Sequence, residues 1–456
     1  MFDDVIERFA RQAPAATLFR ATFARVFSAE KLDQVFREHK QRQVESELLF
    51  STLVELLAPV VSRAKRSVNA SYVEMGDRIG VSKAAVYEKL QGVEPQVSAA
   101  LVRHAAQELT PLHDQAQSLA EGPLPGFHVF VIDGKRLDGT EHRIEETRFL
   151  KSAPLPGTVL ALYDTQRELF VEAACDPDAY VCERQAVLPV LERLQAGGVY
   201  MADRNFCDGP LIERFLDAGA YYLLRQHGRS PRWRQATSRR KRVGTDDQGG
   251  KVYEQAIEVY LPHRDEWVAA RRITIELTEP TRDGAWVIHL ISNLPQTVSA
   301  AALANAYRKR WTIETSLGHI AQALNAEINT LAYPGAALLS FCLGLVLFNL
   351  VRTLEKLLLH YARGEAEPSL SHYYLASEIA ETSKGLQIAI DPTHWDQYAQ
   401  MTVRQYLAFV KRVAERADLR KYKKNVRGPK RPPPKRKSGK GKAHVSTHRI
   451  LMARKC

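Results

Sequence analysis

Three short segments of the chain place acids where acids can do chemistry: Val131-Ile-Asp-Gly-Lys-Arg-Leu137, Tyr200-Met-Ala-Asp-Arg-Asn-Phe206 and Tyr307-Arg-Lys-Arg-Trp-Thr-Ile-Glu314. In the first two an aspartate, Asp133 or Asp203, follows a short apolar run that reads as a strand. In the third, Glu314 falls one helical turn after Arg310. Taken singly, each has an ordinary explanation. An Asp before Gly at a strand end is usually a turn residue, Asp203 can pair with adjacent Arg204, and Glu314 can be a surface acid beside Arg310. Taken together, three converging carboxylates repel one another and call for cations. Hard oxygen ligands suit Mg²⁺, commonly held by one or two carboxylates plus substrate phosphate oxygens. Two such ions about 3.5–4 Å apart can activate a water or a 3′-hydroxyl and stabilise the leaving oxygen of an in-line displacement.

The elements that must position these acids follow from the apolar pattern. His128–Asp133, Thr158–Tyr163, Leu169–Ala174, Val199–Asp203 and Tyr221–Leu224 read as strands, with an amphipathic helix over Glu183–Leu194 and another over Leu211–Leu216. The order is β-β-β-α-β-α-β. Mixed sheets of this kind bind ligands outside their strand ends, where both aspartates fall. Residues 236–298 break the pattern: Val252–Leu261, Trp267–Leu277 and Ala285–Ile291 alternate as strands of a β-rich insertion. Helices resume at Ser299 and run to about Ala417. The apolar stretch Ala336–Val351 falls short of the ~20 residues of a membrane span and reads as a buried core helix.

Ahead of the strands, residues 1–121 read as helical, with Leu48, Leu49, Leu53, Leu56 and Leu57 at helical spacing. Tyr72–Ile79, a Gly80-Val81 turn, Ser82 as N-cap and a short helix to Leu90 have the layout of a helix-turn-helix. That layout turns Ser82, Lys83, Tyr87 and Lys89 toward DNA and packs Val86 and Leu90 inward. Two helices joined by any glycine turn would look the same. Gly122-Pro-Leu-Pro-Gly126 marks the linker that follows.

The 456-residue chain has a formal charge of +12 and a pI near 9.4, values that suggest a polyanionic partner. The excess is local. Arg420–Cys456 holds 15 Lys and Arg and no acid, leaving 49 basic against 52 acidic residues elsewhere, a net of −3. The tail is too basic and Pro-rich to fold alone, and suits either non-specific phosphate neutralisation or a solvated end. Five cysteines, an odd number with no C-x-x-C pair, argue against a disulfide framework and a zinc module. A reducing cytoplasm is the expectation. The opening residues carry early acids and no apolar stretch, unlike a signal peptide.

On these motifs the chain resembles the DDE transposases of bacterial insertion sequences, specifically the "insertion sequence four" group. Tyr307, Arg310 and Glu314 match the first three positions of that group's Y-x2-R-x3-E-x6-K signature, Asp203-Arg-Asn-Phe206 resembles its D-R-x-F segment, and Asp133-Gly fits its first aspartate. The 110 residues between Asp203 and Glu314 fit its inserted β domain. The signature lysine would fall at position 321, which is Ala321. The resemblance covers about residues 40–450 in layout.

The resemblance implies an α/β fold: a ribonuclease H-like mixed-sheet core (122–235 and 299–355) split by a β-rich insertion (236–298). A helical DNA-binding region (1–121), a C-terminal helical region (356–419) and a basic disordered tail (420–456) complete it. It implies that Asp133, Asp203 and Glu314 hold two Mg²⁺ ions, with Mn²⁺ able to substitute. Arg310 would clamp a phosphate bidentately, Tyr307 would touch the DNA backbone, and Arg308 or Lys309, as DNA-binding cations, would cover the charge of the lysine replaced by Ala321. Trp311 would either stack on a displaced base or pack in the core. Arg204 and Arg225 would contact phosphates or form surface ion pairs. The implied partners are double-stranded DNA, as terminal inverted repeats and target, and a second copy of the chain in a synaptic homodimer. The implied reaction has no covalent protein–DNA intermediate. A nuclease that cuts without joining and a catalytically silent DNA-binding relative are the rivals.

Overall fold

The computed structural model describes residues 2–45, 47–228, 230–236, 239–281, 284–362, 370–424, 428 and 445–454; the side chains of Phe2, Asp3, Asp77, Trp311, Thr312, His319, Ala321 and Gln322 are not described. One sheet organises the molecule. Its strands are β1 (Val129–Arg136), β3 (Thr158–Asp164), β4 (Leu169–Asp176), β5 (Val199–Ala202), β6 (Tyr221–Arg225), β7 (Trp233–Gln235), β8 (Lys241–Thr245), β9 (Lys251–Leu261), β10 (Glu266–Glu276) and β11 (Val287–Ser292). A short β2 (Pro154–Leu155) pairs with β12 (Val445–Ser446) outside it. The order across the main sheet is β4-β3-β1-β5-β6-β11-β10-β9-β7, with β8 also on β9.

The apolar runs dictate this arrangement. β1 pairs antiparallel with β3 on one side and parallel with β5 on the other, and β5 pairs parallel with β6. Successive side chains of a strand point to opposite faces. Accordingly Val129 and Val131 join one core with Val199, Met201 and Leu223, while Phe130 and Ile132 join another with Tyr200, Ala202, Tyr222 and Leu224. Both faces are covered, which is why these strands are nearly continuous hydrophobic runs. Helix Pro334–Tyr361 lies on the first face. By length and composition it could cross a membrane, but its apolar window is wholly buried in the protein. It is the core helix that the sequence suggests. Asn349 in it bonds both the N–H and the C=O of Phe170 (2.8 and 2.7 Å), so even its one buried amide is satisfied by β4.

The structure departs from the sequence expectations in four places. β1 does not stop before Asp133. It runs on to Arg136, because β3 continues to pair with it from Asp133↔Ala161 to Arg136↔Thr158 after β5 has ended at Ile132↔Ala202. The helix expected over Glu183–Leu194 is two short turns, Glu183–Ala186 and Leu188–Leu191, since Pro189 has no N–H with which to continue the ladder. The strands of residues 236–298 do not form a separate layer. β11 pairs with β6 (Leu290↔Arg225 to Ser292↔Leu223), so the added strands extend the same sheet. Lastly, the end of the basic tail is ordered against the core. β12 pairs with β2, helix Thr447–Ala453 follows, and Arg449 and Arg454 reach Asp178 (2.5 Å) and Glu146 (2.5 Å). This segment cannot fold alone, but an unpaired strand and two acids offered by the core supply the partners that it lacks. Positions 425–427 and 429–444 lie outside the described residues.

The N-terminal helices occupy Phe2–Gln12, Pro14–Val26, Ala29–His39, Phe50–Val61, Val68–Met75, Lys83–Gly92 and Pro95–Ala116. Around the expected helix-turn-helix, helix Val68–Met75 ends in a tight turn over Gly76–Ile79. Gly80 takes φ +68°, a left-handed backbone that favours glycine, and Ser82 caps the next helix by accepting from the Ala85 N–H (3.2 Å). Val86 and Leu90 are fully buried, as expected.

Candidate active site

Strand parity brings the acids together. Asp133 has the parity of Val129 and Val131, and Asp203, just past β5, has the parity of Val199 and Met201, so both aspartates are directed to the same face of the sheet. Helix Trp311–Ala323 packs on that face through Ile313, Leu317 and Ile320 and carries Glu314 in its first turn. This helix and the preceding one, Ala300–Arg308, are separated by a break at Lys309-Arg310, and Arg310 occupies the N-cap position. The break aims the Arg310 side chain inward, where it is 9% exposed.

Arg310 stands between two of the three acids. Its Nη2 donates to Glu314 Oε1 (2.9 Å) and its Nη1 lies 3.5 Å from Asp133 Oδ2. Burial opposes its charge, yet Tyr307, Asp133 and Glu314 more than offset this and hold its pKa above the ordinary arginine value. Asp133 is pushed up to about 6. Burial is the main cause; Arg310 and a bond from the Gly134 N–H (2.9 Å) pull the other way, and Glu314 and Asp203 add repulsion. Asp203 caps the turn Arg204–Phe206, its Oδ1 accepting from the Asn205 N–H (2.8 Å). It is thus a turn residue and a site residue at once.

The acids are gathered but not closed into a cage: among the described residues no group of three or more His, Cys, Asp or Glu side chains is arranged to hold a metal. The donor chemistry still fits a hard divalent cation. The ligands are oxygens only, and Glu314 and Asp203 lie close enough to Asp133 for their charges to repel its own, a repulsion that a cation would relieve.

The other sequence candidates divide. Arg225 ends β6, half-buried, and its charge acts on Tyr307; Arg204 is exposed at the rim beside Asp203. Tyr307 is only 5% exposed, and burial pushes its phenol up to about 12 despite Arg310 and Arg225. The structure uses it as a wall behind Arg310, whose guanidinium carbon lies 5.8 Å from the ring centre, and not as an open backbone contact. Arg308, expected to touch DNA, is committed elsewhere. Its Nε donates to the buried Asp246 (2.9 Å) and its Nη1 to Gln248 (2.5 Å), joining the helix to the turn before β9. Trp311 and Ala321 lie on the Glu314 helix, but their side chains are outside the described residues.

In the N-terminal region Ser82 and Lys83 are exposed and Tyr87 is half-buried. Lys83 and Tyr87 line a cleft that Asn69, Arg143 and Tyr333 also face. Lys89 is turned back on the protein: its Nζ donates to the Val44 carbonyl (2.7 Å) and sits 4.7 Å from the Phe36 ring centre, which removes it from the expected DNA-facing set.

One pair of residues escaped the sequence reading. Glu183 accepts from Asn205 Nδ2 (2.8 Å), and Arg184 Nε donates to the Asn205 carbonyl (2.9 Å). Both hold the turn that carries Asp203. The spacing of these residues gives no signal, because the contact spans some twenty positions.

Two aspartates on one face of a mixed sheet, with a glutamate and a buried arginine from the helix packed on that face, form the candidate site. In comparison with known families, residues 127–349 match the model of the transposase DDE domain, a stretch that contains Asp133, Asp203, Arg310 and Glu314. This match supports a DDE transposase. No curated protein matches the chain.

Proposed function

We propose that the protein is a cut-and-paste DNA transposase of the "insertion sequence four" type, which hydrolyses the phosphodiester at a transposon end and joins the freed 3′-hydroxyl to target DNA. The observation that carries this reading is the gathering of the carboxylates: Asp133 lies close enough to Asp203 and Glu314 to feel the charge of both, and buried Arg310 stands between Asp133 and Glu314. Asp133, Asp203 and Glu314 would hold Mg²⁺, with Mn²⁺ as a substitute. The bound cations would supply an activated oxygen nucleophile and charge neutralisation at the leaving oxygen.

The chain's own residues do the rest. Arg310, between Asp133 and Glu314, would offer its planar fork to a phosphate and neutralise charge that grows in the transition state. Tyr307 backs the guanidinium and excludes water from behind it. Arg204 and Arg225 draw the DNA backbone to the rim. Ser82, Lys83 and Tyr87 provide contacts to terminal repeat DNA on the N-terminal side, and the basic tail adds salt-dependent affinity. Two copies of the chain would hold two transposon ends, in the cytoplasm of a bacterial cell at its nucleoid.

The rival of a silent DNA-binding relative draws on Ala321 in place of the signature lysine. The intact Asp133, Asp203 and Glu314 weigh against it. The deciding experiment incubates the purified chain with its element's terminal DNA, with and without Mg²⁺, beside Asp203→Ala. Metal-dependent cutting at the element end, lost in the variant, is the expected result. Binding without cutting in the unaltered protein would overturn the transposase reading, and cutting without joining of precut ends would reduce it to a nuclease.

A further inference from the structure

The turn that carries Asp203 is held from the side of the sheet opposite the carboxylates. Asp133 and Gly134 are consecutive in β1, so they face opposite ways. Asp133 faces the helix that bears Glu314. The Gly134 side is approached by Glu183, whose Oε1 would lie 3.4 Å from a β-carbon placed there. Glu183 opens the short helix after β4, and that segment packs through Val187 and Val190 into the second core, not the core beneath Glu314. Its carboxylate therefore stands beneath the end of β1 and not among the metal-facing acids.

From there it reaches the other strand end. Glu183 Oε2 accepts from Asn205 Nδ2 (2.8 Å), and the Asn205 N–H donates to Asp203 Oδ1 (2.8 Å). Neighbouring Arg184 completes the grip: Nε donates to the Asn205 carbonyl (2.9 Å) and Nη1 lies 3.1 Å from Asp208 Oδ2. Asp208 in turn caps helix Gly209–Asp217 through the Leu211 N–H (3.0 Å). The segment Asp203–Asp208 is thus tied at its middle and its far end to two consecutive side chains. Without such ties, an exposed turn of this kind would leave the direction of the Asp203 carboxylate loosely set, and metal sites depend on partners that orient their ligands.

We propose that Glu183 is a positioning residue of the active site, which through Asn205 fixes the Asp203 carboxylate relative to Asp133 and so sets the affinity for divalent metal. The inference rests on the metal-dependent reading above. Arg184 strengthens the same hold from the backbone side. Asn205 is the coupler, because its side chain meets Glu183 while its N–H meets Asp203.

The test is Mn²⁺ titration of the purified full chain, followed by calorimetry and by the electron paramagnetic resonance of free Mn²⁺, at pH 7.5. The chains compared are the unaltered protein, Asp203→Asn, Glu183→Ala, Glu183→Gln, Asn205→Ala and the double variant Glu183→Ala/Asn205→Ala. Loss of a partner that orients a metal ligand weakens binding roughly 10–100-fold. Glu183→Ala and Asn205→Ala should each show this loss. The double variant should be no worse than either single one, since both cut the same connection. Glu183→Gln should stay within about threefold of the unaltered protein, because its amide oxygen still accepts from Asn205.

Unchanged affinity in Glu183→Ala, with Asp203→Asn defective, would overturn the positioning role and leave the site reading intact. Glu183→Gln as weak as Glu183→Ala would also overturn it, by making the charge of Glu183 the active property. Absence of Mn²⁺ binding in the unaltered protein would overturn both this inference and the metal-dependent reading. Should Glu183→Ala fail to fold, Asn205→Ala carries the same comparison.

Discussion

The added strands and the acid site treat charge in different ways. In the added strands, β7–β11, carboxylates meet arginines. Arg271 pairs with Glu254 (2.6 Å), Arg240 with Glu276 (2.7 Å) and Arg234 with Glu258 (2.5 Å), and Arg308 closes on the buried Asp246. At the site beside β1 and β5, one buried arginine meets two of the three acids, Asp133 and Glu314, and burial, with a lesser part from repulsion, raises the Asp133 carboxyl to about 6. A pair that answers its own charge stabilises a fold. A carboxylate buried at a cost to its charged form is held there by the surrounding fold, as acids at functional sites often are. Arg308 and Arg310, two residues apart, fall on either side of this division.

The sharpest way to break the comparison is to remove an acid from the site. Asp133→Asn should lower Mg²⁺-dependent cleavage by at least about 10³-fold, the loss of several kcal/mol of metal-derived stabilisation. Its metal-free melting temperature at pH 8 should not fall, because the ionised carboxylate is disfavoured in the fold. A cleavage rate near that of the unaltered protein would remove Asp133 from the site. Next in size, Arg310→Lys should lower cleavage about 10²-fold with Mn²⁺ binding largely kept, since a lysine cannot supply the planar fork. Equal loss of metal binding would make Arg310 a structural residue like Arg308.

Arg308→Ala should act through stability instead. It leaves Asp246 buried without its partner, a change that typically costs about 3–5 kcal/mol, and urea denaturation should show it. Cleavage per folded molecule at a permissive temperature should be nearly unchanged.

Titration separates the two further. The folded Asp133 binds its proton more tightly than an unfolded aspartate, so metal-free stability should fall as pH rises from about 4 through about 6. Metal-dependent cleavage should run the other way, falling as pH drops through about 6, where a proton competes with the cation. Melting curves across pH 4–8 should lose that slope in Asp133→Asn. The smallest effect belongs to the surface of the added strands. Arg240→Ala breaks a half-exposed, solvent-screened pair with Glu276 and should shift the urea midpoint far less than Arg308→Ala does.

Much of the site was legible along the chain. An apolar run ending in an acid, repeated at Asp133 and Asp203, already implies two strands, and the period of two puts each acid on the same face as its run's alternate valines and methionine, Val129 and Val131 for Asp133 and Val199 and Met201 for Asp203. Glu314 was legible because Arg310 and Tyr307 precede it at helical spacing. The long strands β9 and β10 and the buried helix Pro334–Tyr361 announce themselves by alternation and by composition. Pairings between distant segments were not legible. Arg308 and Arg310 look alike in sequence, yet only the position of the turn at Asp246 assigns one to the fold and leaves the other to the site. Glu183 carries no local mark at all, since its meaning comes from Asn205 across a strand and a loop.

By itself the sequence determined the elements and their faces, because strand parity and helical period are properties of neighbouring residues along one chain. It also determined that oxygen donors and a guanidinium would be the chemistry available. The tertiary structure alone decided which strands joined one sheet, as β6 did with β11, and which tail residues found partners, as Arg449 did with Asp178. It also decided how deeply Asp133 was buried, and so how far its carboxyl was raised. These outcomes depend on distance and burial among residues far apart in sequence, where Coulomb energy and desolvation are set by packing and not by order along the chain.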